Sequence, residues 1–97
     1  MKNMKIKLAA IGLVIASSSI SWGNGIISSC VGCHGQNGIG LSDMFPNLAG
    51  QKKAYMIKQL NDFKSGVRQN QMMSPMAAQL TPQDMEDVSA YFASLKN

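Results

Sequence analysis

The sequence predicts an all-α protein of three to four helices, and three observations support this prediction. Apolar residues recur at i, i+4 and i+7 between residues 51 and 65, as Met56, Leu60 and Phe63, which is the spacing of an amphipathic helix. The segment from residue 81 begins with the threonine and proline that are typical of a helix start. No alternating strand pattern and no internal repeat occurs in the sequence.

Residues 1–23 have the pattern of a secretory signal peptide. Three lysines precede an apolar run of nine residues, 8–16, which is followed by serines. A membrane-spanning helix needs about 20 apolar residues, so an uncleaved anchor is the weaker alternative. We therefore expect cleavage near residues 21–23, a periplasmic location, no remaining transmembrane anchor, and one mature domain at residues 24–97.

The charge and size of the expected mature chain restrict its function. The whole chain has nine Lys and Arg against five Asp and Glu, a net charge of +4, but three of the lysines lie in the first seven residues. The six remaining cations nearly balance the five acidic residues, so nucleic-acid binding is not expected. A domain this small buries little apolar surface, and a disulfide, metal or cofactor is needed to complete its core.

The two cysteines and the single histidine lie together as Cys30-Val31-Gly32-Cys33-His34. This C-x-x-C-H spacing is the attachment motif of c-type haem. Two thiols three residues apart on one helical turn can add to the two vinyl groups on one edge of a porphyrin, and the next residue, His34, then reaches the iron from the same side. We therefore expect one covalently bound haem c, held by Cys30 and Cys33, with His34 as an iron ligand.

Three other interpretations of the cysteine pair are weaker. A thioredoxin-type redox motif would be expected among strands, and none is predicted here. A structural zinc site needs four ligands, whereas two Cys and one His supply three. A simple disulfide is possible in an exported protein, but it leaves His34 without a role.

The other elements follow from local signals. Asn24 can cap a short first helix that ends in the cysteine motif, at about residues 24–33, and a glycine-rich loop follows it. The helix at residues 51–65 should end at Gly66, and residues 67–75 should form a loop. The last helix should have Thr81 as N-cap with Asp84 as its capping partner, run to about residue 95 and bury an apolar stripe. That stripe consists of Met85, Val88, Phe92 and Leu95, with Tyr91 beside it.

From Cys30 to Lys96 the sequence resembles the small class I bacterial cytochromes c, and it is most similar to one half of the periplasmic dihaem cytochromes. The motifs that carry the resemblance are Cys30-x-x-Cys33-His34-Gly35, Phe45-Pro46-x-Leu48-Ala49-Gly50-Gln51, Tyr55 with Gln59-Leu60 and Phe63, Met73-x-x-Met76, and Tyr91-Phe92. The resemblance implies helices wrapped around one haem, crossed terminal helices and a methionine as the sixth iron ligand. It also implies that the Pro46 carbonyl accepts a hydrogen bond from His34 and that Leu48 contacts the porphyrin.

The sequence departs from this family at its start. The first helix is shorter than the family's usual N-terminal helix, so Ile26 or Ile27 should make the contact with Tyr91 and Phe92.

Met73 is the expected sixth ligand, with Met76 and Met72 as alternatives. Pro75 disfavours helical backbone at Ser74, which should keep the chain extended and let the Met73 thioether reach the iron. The Met-x-x-Met pattern of the resembling family, in which the first methionine is the ligand, agrees with this assignment. The remaining candidates are expected on the proximal side or on helix stripes; they are Met44, Met56 and Met85.

His/Met ligation leaves no open iron position, so we expect a one-electron carrier that is not itself an enzyme. Its partners would be other redox proteins, and the chain would be a monomer or loosely associated. One alternative is a tightly held electron-transfer subunit of a dehydrogenase or oxidase, docked through a basic patch; a solvated helix face is the other interpretation of that patch. Another alternative is a haem-based sensor with a weak or absent methionine bond. The patch residues are Lys52, Lys53, Lys58, Lys64 and Arg68.

Overall fold

The computed structural model describes residues 24–97, so the predicted signal peptide at 1–23 lies outside the described residues. The helices in this range are α1 (Ile26–His34), α2 (Lys53–Ser65), α3 (Met73–Ala78) and α4 (Pro82–Ala93). Residues 24–97 contain no strand, and the all-α prediction is confirmed. None of these helices has the length and apolar character that crossing a membrane requires.

The start of α1 is tied to the start of α4 by Asn24. Its side-chain oxygen accepts a hydrogen bond from the Ile26 amide at 3.0 Å. Its Nδ2 donates to Asp84 Oδ1 at 2.9 Å and to Asp87 Oδ2 at 3.0 Å. The side chain therefore bonds to the first turn of α1, as the sequence suggested, and also joins two helices.

The second helix begins two residues later than predicted and ends where predicted. Gly66 follows its last residue with φ of 87°, in the left-handed region, where glycine avoids the steric cost that a Cβ would impose. A Cβ built on Gly66 meets nothing within 4 Å. Glycine is therefore favoured at this position by the backbone conformation and not by close packing.

The prediction of a loop through residue 75 was wrong, because α3 begins at Met73. Pro75 is the third residue of this helix, where the missing N–H would have no partner within the helix in any case. The Asn70 side chain stabilises the start of the helix, because its Oδ1 accepts hydrogen bonds from the amides of Met72 at 2.9 Å and Met73 at 2.8 Å. These bonds outweigh the extended preference that proline imposes on Ser74.

The last helix begins with the predicted capping box. The Asp84 amide donates to Thr81 Oγ1 and the Thr81 amide donates to Asp84 Oδ2, each at 3.0 Å. The helix ends at Ala93, two residues before the predicted end, and Leu95 lies just beyond it, partly buried. Three predicted stripe residues are buried: Met85, Val88 and Phe92.

The core lies where α1 and α2 pack on α4. Its central cluster contains Met56, Val88 and Phe92, with Ile26 and Ile27 of α1 packed against it. The expected contact between the short first helix and the last helix is therefore present. Helix α3 packs on α2.

Two hydrogen bonds attach the glycine-rich segment after α1 to the last helix. The Gly50 amide donates to the Phe92 carbonyl at 2.9 Å, and the Tyr91 hydroxyl donates to the Gln36 carbonyl at 2.5 Å. These bonds hold the segment across the end of α4, so it forms a wall beside the cysteine motif.

Candidate functional site

A cleft of about 750 Å³ lies beside the cysteine motif, within the usual size range of sites for small molecules and cofactors. Residues from all four helices and from the three segments that connect them line the cleft. All six site residues predicted from the sequence line it, and so do the two alternative methionines. The six are Cys30, Cys33, His34, Pro46, Leu48 and Met73.

The His34 ring is held by its surroundings in one orientation. The side chain is 8% exposed, and its Nδ1 lies 2.8 Å from the Pro46 carbonyl oxygen. The rings of Phe45 and Phe92 approach it edge-on, with centroids 6.4 and 6.3 Å away. Because a carbonyl only accepts, Nδ1 carries the proton and Nε2 of the neutral ring carries a lone pair. Within residues 24–97, Nε2 makes no hydrogen bond.

The segment that follows Pro46 is held by the backbone of Gly38. The Gly38 carbonyl accepts hydrogen bonds from the amides of Leu48 at 2.7 Å and Ala49 at 3.0 Å. Gly38 has φ of 79°, and a Cβ built on it would lie 2.7 to 2.8 Å from atoms of Ala49. Only glycine allows this approach, which fixes the segment that orients His34.

The two cysteines lie one helical turn apart on α1, partly buried and not bonded to each other. Burial of the Cys30 thiol, together with the smaller effect of the neighbouring Cys33, raises the pKa of Cys30 to about 11. A reactive thioredoxin-type thiol needs a lowered pKa, so the raised value does not favour that alternative. No group of three or more His, Cys, Asp or Glu side chains in residues 24–97 is placed to hold a metal ion, as a zinc site would require.

The three candidate methionines all line the cleft but differ in exposure. Met73 and Met76 are partly buried, whereas Met72 is 44% exposed. The methionines expected in the core, Met56 and Met85, are 6% and 2% exposed. The structure brings the predicted ligand and its alternatives to the same cleft as His34, and their exposure favours Met73 and Met76 over Met72.

Arg68 is a cleft residue that the sequence analysis assigned to a basic patch. Its guanidinium lies 4.6 Å from the centroid of the Phe63 ring, and its Nη1 donates to Gln59 Oε1 at 2.6 Å. The stacking and the hydrogen bond fix its position. The signal that could have revealed it is the turn at Gly66, which folds the chain after α2 back over this face of the helix.

Three of the other cations in the expected basic patch also have intramolecular partners. Lys53 pairs with Glu86 and Lys58 with Asp62, each at 2.7 Å. Lys64 donates to the Leu80 carbonyl. With Arg68, four of the five patch residues are therefore engaged within the chain, which favours a solvated helix face over a free docking patch.

Comparison with known proteins identifies the family. The family model described as cytochrome c matches residues 22–96. This chain belongs to the cytochrome c family. It is 36% identical over 94 residues to cytochrome c4 of Pseudomonas aeruginosa, covering 97% of this chain and 47% of that protein. It is also 44% identical over 63 residues to the thiosulfate dehydrogenase electron acceptor of Stutzerimonas stutzeri, covering 64% of this chain and 29% of that protein.

Solved structures agree with this assignment. The cytochrome c4 structure from Acidithiobacillus ferrooxidans superposes with a TM-score of 0.65 at 45% identity, covering 69% of this chain and 38% of that one. The class I cytochrome c fold expected from the sequence is confirmed. The chain spans about half the length, or less, of these relatives.

Membership of the family implies one covalently bound haem c with its iron, and the cleft fits this cofactor. The cleft has a volume of about 750 Å³, and the imidazole Nε2 of His34 is the kind of ligand atom that haem iron accepts. The two thiols lie on the same helix as the histidine, within one turn of it. Met72, Met73 and Met76 line the cleft as well. The residue types that line the cleft are therefore compatible with a covalently bound haem c.

Proposed function

We propose that this cytochrome c is a periplasmic one-electron carrier whose haem is attached through Cys30 and Cys33 and ligated by His34 and Met73. The main support is the hydrogen bond between His34 Nδ1 and the Pro46 carbonyl. It fixes the tautomer that leaves Nε2 available to iron, as ligating histidines usually require. When bound, haem c supplies reversible one-electron exchange.

Each cleft residue has a separate task in this proposal. The Cys30 and Cys33 thiols would attach the cofactor, and His34 and Met73 would be the iron ligands. Pro46 orients His34, while Leu48, which is partly buried against the core, contributes an apolar wall. With both residues as ligands, the iron would have no open position for small molecules, and the haem would supply one-electron exchange.

Arg68 is the residue that can pair with the carboxylates of haem. It is the only Lys, Arg, Asp or Glu among the described residues that line the cleft. An arginine is suited to this task, because its planar guanidinium binds carboxylates through two parallel hydrogen bonds. The Phe63 ring and Gln59 hold that guanidinium in place before the cofactor arrives.

The proposed partners are other redox proteins that donate and accept single electrons. One relative is named for its role as electron acceptor of thiosulfate dehydrogenase, and by likeness this chain would exchange electrons with an oxidoreductase. The proposed periplasmic location depends on the signal peptide pattern at residues 1–23. The protein would carry electrons without catalysing a reaction on a substrate.

The test of ligation is to change Met72, Met73 and Met76 to alanine one at a time. Oxidised His/Met haem is expected to show a sulfur-to-iron charge-transfer band at about 695 nm. We expect the band in the wild type and its loss only in Met73→Ala. Met44→Ala is the control, because Met44 also lines the cleft but is 73% exposed and precedes Phe45, whose ring packs against His34, so its loss should not remove the band. Loss of the band only in Met76→Ala would overturn the assignment.

Two further measurements separate this function from its alternatives. Acid-acetone should leave the haem on the protein, and extraction of the haem would refute covalent attachment. Carbon monoxide should not bind the reduced protein at neutral pH, whereas ready binding would indicate an open iron position and a haem-based sensor.

A further inference from the structure

Asn70 makes an unusually dense set of hydrogen bonds with the three residues that begin the methionine segment. Its Oδ1 accepts from the amides of Met72 at 2.9 Å and Met73 at 2.8 Å. Its amide donates to Ser74 Oγ at 3.0 Å, and its carbonyl accepts from the Ser74 amide at 3.0 Å. Four hydrogen bonds thus join one residue to a run of three.

These hydrogen bonds are needed because α3 is too short to be stable as an isolated helix. A helix of six residues is far below the length at which an isolated helix is stable in water. The amides of its first turn have no partners within the helix. The Asn70 side chain accepts from the first of these amides, that of Met73, and from the Met72 amide just before the helix, while the Ser74 hydroxyl accepts from the Asn70 amide.

Asn70 also lines the cleft, as do Arg68 and Met73. The hydrogen bonds therefore connect the cleft wall directly to the backbone of the residue proposed as the iron ligand. A thioether on three rotatable bonds can adopt many positions. Fixing its backbone removes much of that freedom, so iron binding costs less entropy.

We propose that Asn70 is a positioning residue for the methionine that would ligate the iron: its hydrogen bonds to residues 72–74 fix the Met73 backbone beside the cleft. This inference depends on the proposed ligation by Met73. In this inference, Asn70 determines how large a fraction of the molecules has the Met73 sulfur dissociated from the iron.

The experiment is a competition between the methionine and added imidazole for the oxidised iron. Imidazole binds only when the methionine is off, so its apparent dissociation constant is inversely proportional to the population of the methionine-off state. Met72 is the N-cap residue of α3 and makes no side-chain capping bond, but Asn70 accepts from the amides of residues 72 and 73 as a capping side chain does. Loss of such a side chain reduces the stability of a helix start by about threefold to thirtyfold. We therefore expect Asn70→Ala to lower the apparent imidazole dissociation constant by about that factor.

Three further variants make the result specific. Asn70→Asp keeps an oxygen that accepts from both amides, and it should retain a near wild-type constant. Ser74→Ala removes only the hydroxyl half of the arrangement, and it should give a smaller decrease. Asn61→Ala is the matched control: Asn61 is an exposed asparagine that bonds to the Ile57 carbonyl within α2, away from the cleft, and its loss should leave the constant unchanged.

The outcomes separate this inference from the proposed ligation. If Met73→Ala abolishes the band at about 695 nm but Asn70→Ala and Ser74→Ala bind imidazole like the wild type, the positioning role of Asn70 is refuted while the ligand assignment stands. If the band survives in Met73→Ala, the assignment of Met73 as the ligand is refuted, and the positioning role of Asn70 is refuted with it. If Asn70→Ala yields no folded holoprotein, Ser74→Ala decides: an unchanged constant overturns the inference, and a lowered constant supports it.

Discussion

Replacing Gly38 with alanine tests whether the segment that orients His34 depends on a close backbone approach. Gly38 has φ of 79°, and an alanine in this left-handed region costs about 1–2 kcal/mol. The new Cβ would also lie 2.7 Å from Ala49 Cβ and 2.8 Å from the Ala49 Cα and amide nitrogen. Forcing extra atoms into a packed region costs about 1–3 kcal/mol, so the total should be about 2–5 kcal/mol.

The same chain contains a matched control for backbone strain alone. Gly66 has φ of 87°, but a Cβ built on it meets nothing within 4 Å. Gly66→Ala should therefore cost only the strain, about 1–2 kcal/mol. The difference between the two variants measures the contact with Ala49.

The assay is thermal unfolding of the haem-loaded protein, followed by circular dichroism and by the haem absorbance. In a domain of this size, 1 kcal/mol shifts the midpoint by about 4–8 °C. Gly66→Ala should then lower Tm by about 4–16 °C, and Gly38→Ala should lower it further in the same experiment. Because Ala49 must move and Pro46 lies three residues before it, Gly38→Ala should also change the reduction potential, whereas Gly66→Ala should not. Equal losses of Tm and an unchanged potential in both variants would refute the reasoning.

Three further predictions concern acid stability, the core and covalent attachment. The pKa of Asp84 is lowered below its ordinary value of 3.8, mainly by the hydrogen bond from the Thr81 amide and next by the hydrogen bond from the Asn24 side chain. The ionised Asp84 therefore contributes its full stabilisation above pH 3.8, and this stabilisation is lost as the pH falls through the lowered pKa. Asp84→Asn should flatten the loss of stability below about pH 4, as measured by urea midpoints, and an unchanged acid profile would contradict this. Phe92 is fully buried, so Phe92→Ala should cost about 3–5 kcal/mol in guanidinium unfolding, and a loss below about 1 kcal/mol would show that the cofactor cleft absorbs the change. Cys30→Ser should reduce the yield of holoprotein during maturation, and normal yields of folded protein without haem would show that the core does not need the cofactor.

Elements with a complete local signal were predictable from the sequence. The start of α4 is encoded by Thr81, Pro82 and Asp84 within four residues, and the capping box forms as expected. The end of α2 depends on one residue, Gly66, whose backbone conformation no other residue adopts as easily. The cysteine motif was predictable for the same reason, because its spacing carries the chemistry.

Elements that depend on a competition between local preferences were not predictable. Pro75 argued for an extended chain at Ser74, while Asn70 offered two hydrogen bonds that favour a helix. The sequence shows both preferences, but only the three-dimensional arrangement shows which is stronger. Arg68 was assigned to a charged patch because its contact with Phe63 forms only after the chain reverses at Gly66.

The hydrogen bond between His34 and Pro46 illustrates a third case. Twelve residues separate its partners, and no rule of helices or turns connects them. It was expected only because the segment from Phe45 to Gln51 resembles the same segment of a known family. Long-range contacts of this kind follow from likeness, whereas the caps and turns follow from local chemistry.

The intramolecular pairing of the cations on α2 has a consequence for the speed of encounters. Lys53 and Lys58 lie 2.7 Å from carboxylate oxygens, so each pair presents a dipole and not a net charge to an approaching protein. The field of a dipole falls off faster than that of a charge, and salt screens what remains over about 8 Å at physiological ionic strength. Lys53 and Lys58 should therefore contribute little electrostatic steering to the association with redox partners. Neutralising both ion pairs should change the salt dependence of second-order electron-transfer rates little.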